Sequence, residues 1–188
     1  MRPLIGILLA AGSSSRFGGD KLLATLSDGS IVVDRSLAAL ASAVDGVVAV
    51  VRSRDEALAA RLRAGGARVT SCPDAERGMG ASLAWAVRAV PVARGWIVAL
   101  GDMPWVESAT ITRIAAAIRD GALIAAPVHR DVRGNPVGFA AALYPALVVL
   151  DGDRGARDLI ASRAADATAI EVDDPGVLRD VDTREDLR

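Results

Sequence analysis

The sequence predicts an α/β protein: an open, doubly wound, mostly parallel sheet with helices on both faces, three layers in all. Three observations predict it. Candidate strands and helices alternate along the whole chain. The runs at 4–9, 46–51 and 95–100 are apolar without alternation, as expected of strands covered on both faces. Aromatic residues are only 3% of a chain that is 52% hydrophobic, so small aliphatic side chains must fill the core, which suits helices packed close on a sheet.

Each element has its own local reason. Residues 4–9 form the first buried strand. Residues 34–44, "DRSLAALASAV", carry apolar positions at helical spacing, with Asp34 as candidate N-cap. "GVVAVV" at 46–51 is the second strand. "RDEALAARLRAGG" at 54–66 is a helix that Gly65 and Gly66 stop. A third strand falls at 67–71, a helix at 78–90 and a strand at 95–100. A helix at 108–120 has Ser108 as cap, and a strand follows at 122–127. Residues 135–150 read as a strand turning into a helix, 155–165 as a helix and 167–172 as a final strand. With 188 residues and no repeat, linker or low-complexity tract, residues 1–188 are expected to form one domain.

Composition excludes several functions. A net charge of -1 argues against bulk nucleic-acid binding and against an anionic membrane surface. The single Cys72 excludes an intrachain disulfide and a cysteine zinc site, and the single His129 excludes a histidine-rich metal centre. The apolar N-terminal run is too short to span a bilayer, and a cytoplasmic location is expected.

In a sheet of this kind ligands bind beyond the carboxyl ends of the strands. The loops 10–21, 72–82 and 101–106 each follow a candidate strand and should converge there. "LLAAGSSSRFGGDK" at 8–21 has the parts of an anion site: Gly12 lets the backbone approach closely, successive amides can donate, and Arg16 and Lys21 bring charge; the plainer reading is a solvated Gly/Ser connector with two surface cations. It matches neither the Walker A spacing nor the dinucleotide fingerprint. "WIVALGDMPWV" puts Asp102 two residues past a buried strand, where a carboxylate is well placed for Mg²⁺; the plainer reading is a turn cap.

With these loops in view, "LAAGSSSRFGGDKLL" resembles the signature loop of the nucleotidyltransferases, and "LGDMP" resembles their metal motif. "GMGASLAWAV", "RGNPVGF", "GDRGARDLI" and "DVDTREDL" follow in the order found in molybdenum cofactor cytidylyltransferases and related MobA-like NTP transferases. The resemblance runs from residue 4 to residue 187. It implies a Rossmann-like, nucleotide-diphospho-sugar transferase fold. It implies that Leu9, Ala10, Ala11 and Gly12 bind base and ribose through backbone atoms. Ser13, Ser14, Ser15 and Arg16 would wrap the triphosphate, with Lys21 on its phosphates. Ser82 would help hold the nucleoside, and Asp102 would ligate Mg²⁺, with Asp182, or its rival Asp180, as second ligand. Gly134, Asn135 and Pro136 would shape the pocket of a small phosphate-bearing acceptor. Arg16, Lys21 and Asp102 would carry catalysis. The Ala-Ala-Gly of the first motif is similar to the cytidylyl branch, favouring CTP over GTP, and a molybdoenzyme is the implied protein partner. Two positions depart from the pattern: Cys72 stands where relatives often carry Asn, and Arg184 where they carry Pro.

Plainer readings apply elsewhere. Met79, Met103 and Trp85 are expected to pack, as is Trp105. His129 is expected at the surface. Asp151 and Asp153 in "LDGDRGAR" read as an ordinary turn, with Arg154 or Arg157 as weak acceptor candidates. The alternatives are transfer to a different phosphate (a sugar phosphate, methylerythritol phosphate or phospholactate) and a non-catalytic nucleotide-binding accessory protein.

Overall fold

The computed structural model describes residues 1–12 and 17–188. Its strands are β1 (Leu4–Leu9), β2 (Gly46–Arg52), β3 (Arg68–Cys72), β4 (Gly95–Leu100), β5 (Ile124–His129), β6 (Val132–Arg133), β7 (Val137–Ala140) and β8 (Ala167–Glu171). The helices are α1 (Val32–Ala41), α2 (Glu56–Ala64), α3 (Met79–Ala89), α4 (Ser108–Arg119), α5 (Tyr144–Leu147) and α6 (Arg157–Ser162). One eight-stranded sheet runs β3-β2-β1-β4-β7-β5-β6, with β8 paired to β5.

The sheet is mixed and mostly parallel. β3, β2, β1 and β4 are parallel, and so is the β5–β8 pair. β7 is antiparallel to both β4 and β5, and β6 is antiparallel to β5. Neither β6 nor these antiparallel pairings is expected from the sequence. β6 is two residues long and begins after Arg130 and Asp131, both at positive φ, so no apolar run announces it.

Side chains of β1 alternate between two cores. Leu4 and Leu8 join α1, α2 and α4 on one face; Ile7 and Leu9 join α3, α5 and α6 on the other. Helix α1 lies so close to β1 that a Cβ at Gly6 would meet Leu40 at 2.9 Å. The first connection after β1 leads outward to β2, whereas β4 returns to the other side of β1. The strand order therefore switches beside β1, which opens a crevice at the carboxyl ends of β1 and β4.

Local corrections have physical reasons. α1 starts at Val32, so Asp34 is not its N-cap; it lies in the first turn and pairs with Arg61 across to α2. Ser108 is the first residue of α4 rather than its cap. The buried Asp174 caps this helix from the C-terminal segment, accepting from the Glu107 amide at 3.0 Å and the Thr110 hydroxyl at 2.7 Å. His129 is buried, because it ends β5 and its Nδ1 lies 3.1 Å from the Val172 carbonyl oxygen. Met103 packs as expected, but Met79 is 43% exposed. Trp85 is half-buried, with its indole N–H donating to Thr70, and Trp105 is covered by the Arg179 guanidinium at 3.6 Å. No helix among the described residues is long and apolar enough to cross a membrane.

Candidate active site

A cleft of about 510 Å³ opens at the carboxyl ends of the parallel strands. Leu9, Ala10, Ala11 and Gly12 line it where β1 ends, Ser82 lines it from α3, and Lys21 and Asp102 line it from the loops after β1 and β4. The three loops singled out in the sequence thus do converge. Backbone bonds hold their bases. The Ala10 amide donates to Val50 at 2.9 Å, and the Gly101 amide to Leu9 at 2.9 Å. The buried Ser36 hydroxyl of α1 donates to the Gly101 carbonyl at 3.0 Å, fixing the turn that carries Asp102.

Lys21 is the hub of the charged end. Its Nζ lies 2.6 Å from Asp102 Oδ2, donates to the Val181 carbonyl at 2.9 Å and stands 3.6 Å from Asp182 Oδ1. The Val181 amide donates to the Asp102 carbonyl at 2.8 Å, so the C-terminal segment is bonded directly to the turn after β4. Burial raises the Asp180 carboxyl, and the charges of Asp102 and Asp182 raise it further. Three carboxylates therefore share one region, with one ammonium among them.

Among the described residues no three acidic, His or Cys side chains are grouped to hold a metal ion by themselves, but two of these carboxylates offer donors for a divalent cation. Carboxylate oxygens of Asp102 and Asp182 already address a common positive charge, and hard oxygen donors are what Mg²⁺ or Mn²⁺ requires. Two protein carboxylates with phosphate and water completing the shell is a usual arrangement for Mg²⁺.

Other expected residues lie elsewhere. Ser13, Ser14, Ser15 and Arg16 fall outside the described residues. Gly134, Asn135 and Pro136 do not line the cleft: the Gly134 amide donates to Pro127 and the Asn135 amide to Val177, each at 2.9 Å. Asn135 and Pro136 instead face a small hollow beside Ser36 and Met103. Of the three, only Asn135 is not buried. Arg154 pairs with Asp158, and neither it nor Arg157 lines the cleft. Conversely, Arg52, Arg54, Glu76, Met79 and Asp153 do line it. Arg52 and Arg54 were findable, because one ends a parallel strand and the other follows it, at the same sheet edge as Asp102. Asp153 was not, because its approach depends on a contact between distant segments.

A cleft of this volume at a topological switch point, with a lysine and convergent carboxylates at one end, fits an enzyme of the nucleotidyltransferase class. Comparison with known proteins agrees. The MobA-like NTP transferase domain matches residues 6–168, and the chain belongs to that family. The purine catabolism protein PucB of Bacillus subtilis (strain 168) is 31% identical, over 97% of this chain and 93% of that one. Nicotine blue oxidoreductase of Paenarthrobacter nicotinovorans is 30% identical over the same shares. The crystal structure of Rv0371c from Mycobacterium tuberculosis H37Rv superposes with a TM-score of 0.84 at 32% identity, covering 97% of this chain and 95% of that one. A manganese complex of Rv0371c superposes with a TM-score of 0.80 at 28% identity, covering 98% and 95%, which is consistent with divalent-metal use in the family.

Proposed function

We propose that this enzyme transfers CMP from CTP to the phosphate of a small cofactor such as molybdopterin, releasing pyrophosphate, in the cytoplasm and with Mg²⁺. The observation that carries the proposal is the Lys21–Asp102 contact at 2.6 Å in a cleft that Leu9 to Gly12 also line. Preference for CTP over GTP rests on the likeness of Ala10-Ala11-Gly12 to the cytidylyl branch, and a molybdoenzyme as protein partner rests on the same resemblance.

In this reading the backbone of Leu9, Ala10, Ala11 and Gly12, with Ser82, holds base and ribose. Ser13, Ser14, Ser15 and Arg16 wrap the triphosphate. Asp102 and Asp182 would hold Mg²⁺, which would supply charge compensation at the phosphoryl oxygens. The acceptor phosphate attacks the α-phosphorus, and pyrophosphate leaves. A phosphate monoester has a second pKa of about 6, so it is already ionised at neutral pH and no general base is needed. The work left to the protein is alignment and charge compensation, for which Lys21 and Arg16 are suited. Gly134, Asn135 and Pro136 are retained as the acceptor side, outside the cleft lining, with Asn135 the one of the three that is not buried.

The test is pyrophosphate release across four nucleoside triphosphates and a set of acceptor phosphates, with divalent metal. CTP with molybdopterin should give the strongest signal. Release with another acceptor only would keep the reaction class and change the substrate. Nucleotide-induced thermal stabilisation without turnover for any pair would instead mark an accessory binding protein.

A further inference from the structure

The start of α3 is shaped to receive a segment more than 70 residues away. A Cβ on Gly78 would lie 2.4 Å from Asp153 Oδ1 and 2.5 Å from the Gly152 carbonyl carbon, and one on Gly80 would lie 2.5 Å from the Asp151 carbonyl oxygen. Only glycine permits that approach at either position. The Gly80 amide donates to Gly152 at 2.8 Å, Arg77 pairs with Asp151, and Gly155 closes against Met79. The turn of residues 151–155 is thereby fixed as a wall of the cleft.

That wall presents one carboxylate. Asp153 lines the cleft and has no hydrogen-bond or ion-pair partner among the described residues, whereas its neighbours Asp151 and Asp158 are each paired with an arginine. A carboxylate only accepts hydrogen bonds, and it repels phosphate. Exposed on this wall, it can take from a nucleotide ligand only a neutral O–H or N–H donor. A nucleoside triphosphate carries such donors on its nucleoside: the ribose hydroxyls and an exocyclic base amine. Ser82 and Met79 line the same cleft, and Met79, 43% exposed, offers apolar surface to a flat ring. Lys21 and Asp102, tied to the C-terminal segment, mark the phosphate end.

We infer that Asp153, docked on Gly78 and Gly80, accepts hydrogen bonds from the neutral donor groups of the bound nucleoside and sets nucleotide selectivity. The inference rests on the nucleotide-transfer reading above.

Equilibrium binding of CTP, UTP, 2′-deoxyCTP and 3′-deoxyCTP to the wild type, Asp153→Ala and Gly80→Ala tests it. Asp153→Ala should bind CTP about 10- to 100-fold more weakly, with an unchanged melting temperature, since a hydrogen bond to a charged group is lost. If the base amine is the donor, the wild type prefers CTP to UTP and Asp153→Ala does not. If ribose is the donor, the wild type discriminates against a deoxynucleotide and the variant does not. Gly80→Ala, which suits a helix but pushes 151–153 away, should show the same loss with unchanged circular dichroism. Affinity for CTP within about twofold of wild type in Asp153→Ala overturns the inference, and wild-type affinity in Gly80→Ala overturns the docking argument. A wild type that binds no nucleotide overturns the nucleotide reading itself, and the inference with it.

Discussion

Lys21 Nζ and Asp102 Oδ2 lie 2.6 Å apart, joining the loop after β1 to the turn after β4 across 81 residues of sequence. Both side chains are largely shielded, at 10% and 21% exposure. The pair links catalysis to folding, because the residues expected to do chemistry also hold two loops and the C-terminal segment together.

Asp102→Asn keeps the shape of the side chain and removes its charge. Turnover should fall about 10²- to 10³-fold, the usual cost of losing one preorganised charge-stabilising group. Divalent-metal binding, followed by Mn²⁺ titration, should weaken in parallel. Near-normal turnover in this variant would refute the metal assignment.

Lys21→Met removes the charge that Asp102, Asp180 and Asp182 surround. The fold should lose roughly 2–3 kcal/mol on urea denaturation, because the largely shielded Asp102 carboxylate is left without its partner. A divalent cation should recover part of that stability. Unchanged stability in metal-free buffer would show that the carboxylates are solvated independently of Lys21.

Asp174→Ala should cost about 2–3 kcal/mol, since the buried carboxylate accepts from the Glu107 amide, the Thr110 hydroxyl and the Gly176 amide. Urea denaturation reads the loss. It should appear with little change in nucleotide affinity, because Asp174 does not line the cleft.

Burial raises the Cys72 thiol above its ordinary value. The folded state therefore holds the thiol proton more tightly than the unfolded chain. Stability from this group is intact below the unfolded thiol value of about 8.5 and is lost as pH rises from there towards the folded value. Cys72→Ala should flatten the decline of stability in that alkaline window. The native thiol should resist iodoacetamide at pH 7.5 and react once the chain unfolds.

Much of the architecture is legible because it is local. Apolar runs such as residues 46–51 can only be covered strands, and helical spacing in "SATITRIAAAIRD" marks α4 within one residue of its end. The loops that line the cleft are legible for a related reason: in a parallel sheet every strand delivers its following loop to one edge, so strand positions alone bring residues 9–12, 82 and 102 together. Helix starts are less legible. Asp34 and Ser108 are good caps by type, but Val32 already packs in the core, and the cap of α4 comes from Asp174, 64 residues from Thr110.

By itself, then, the sequence determined the α/β alternation and the sheet edge to which the loops carrying Lys21 and Asp102 are delivered, since these follow from local periodicity and from the direction of parallel strands. Only the tertiary structure decided the antiparallel insertion of β7 between β4 and β5, the burial of His129, the burial of Gly134 and Pro136 away from the cleft and the arrival of Asp153 in it. Each of these depends on a contact between distant segments: strand pairing for β7, the Val172 carbonyl for His129, Val177 for Gly134 and the bare backbone of Gly78 and Gly80 for Asp153. Such contacts are set by how packed elements meet, and no periodicity along the chain records them.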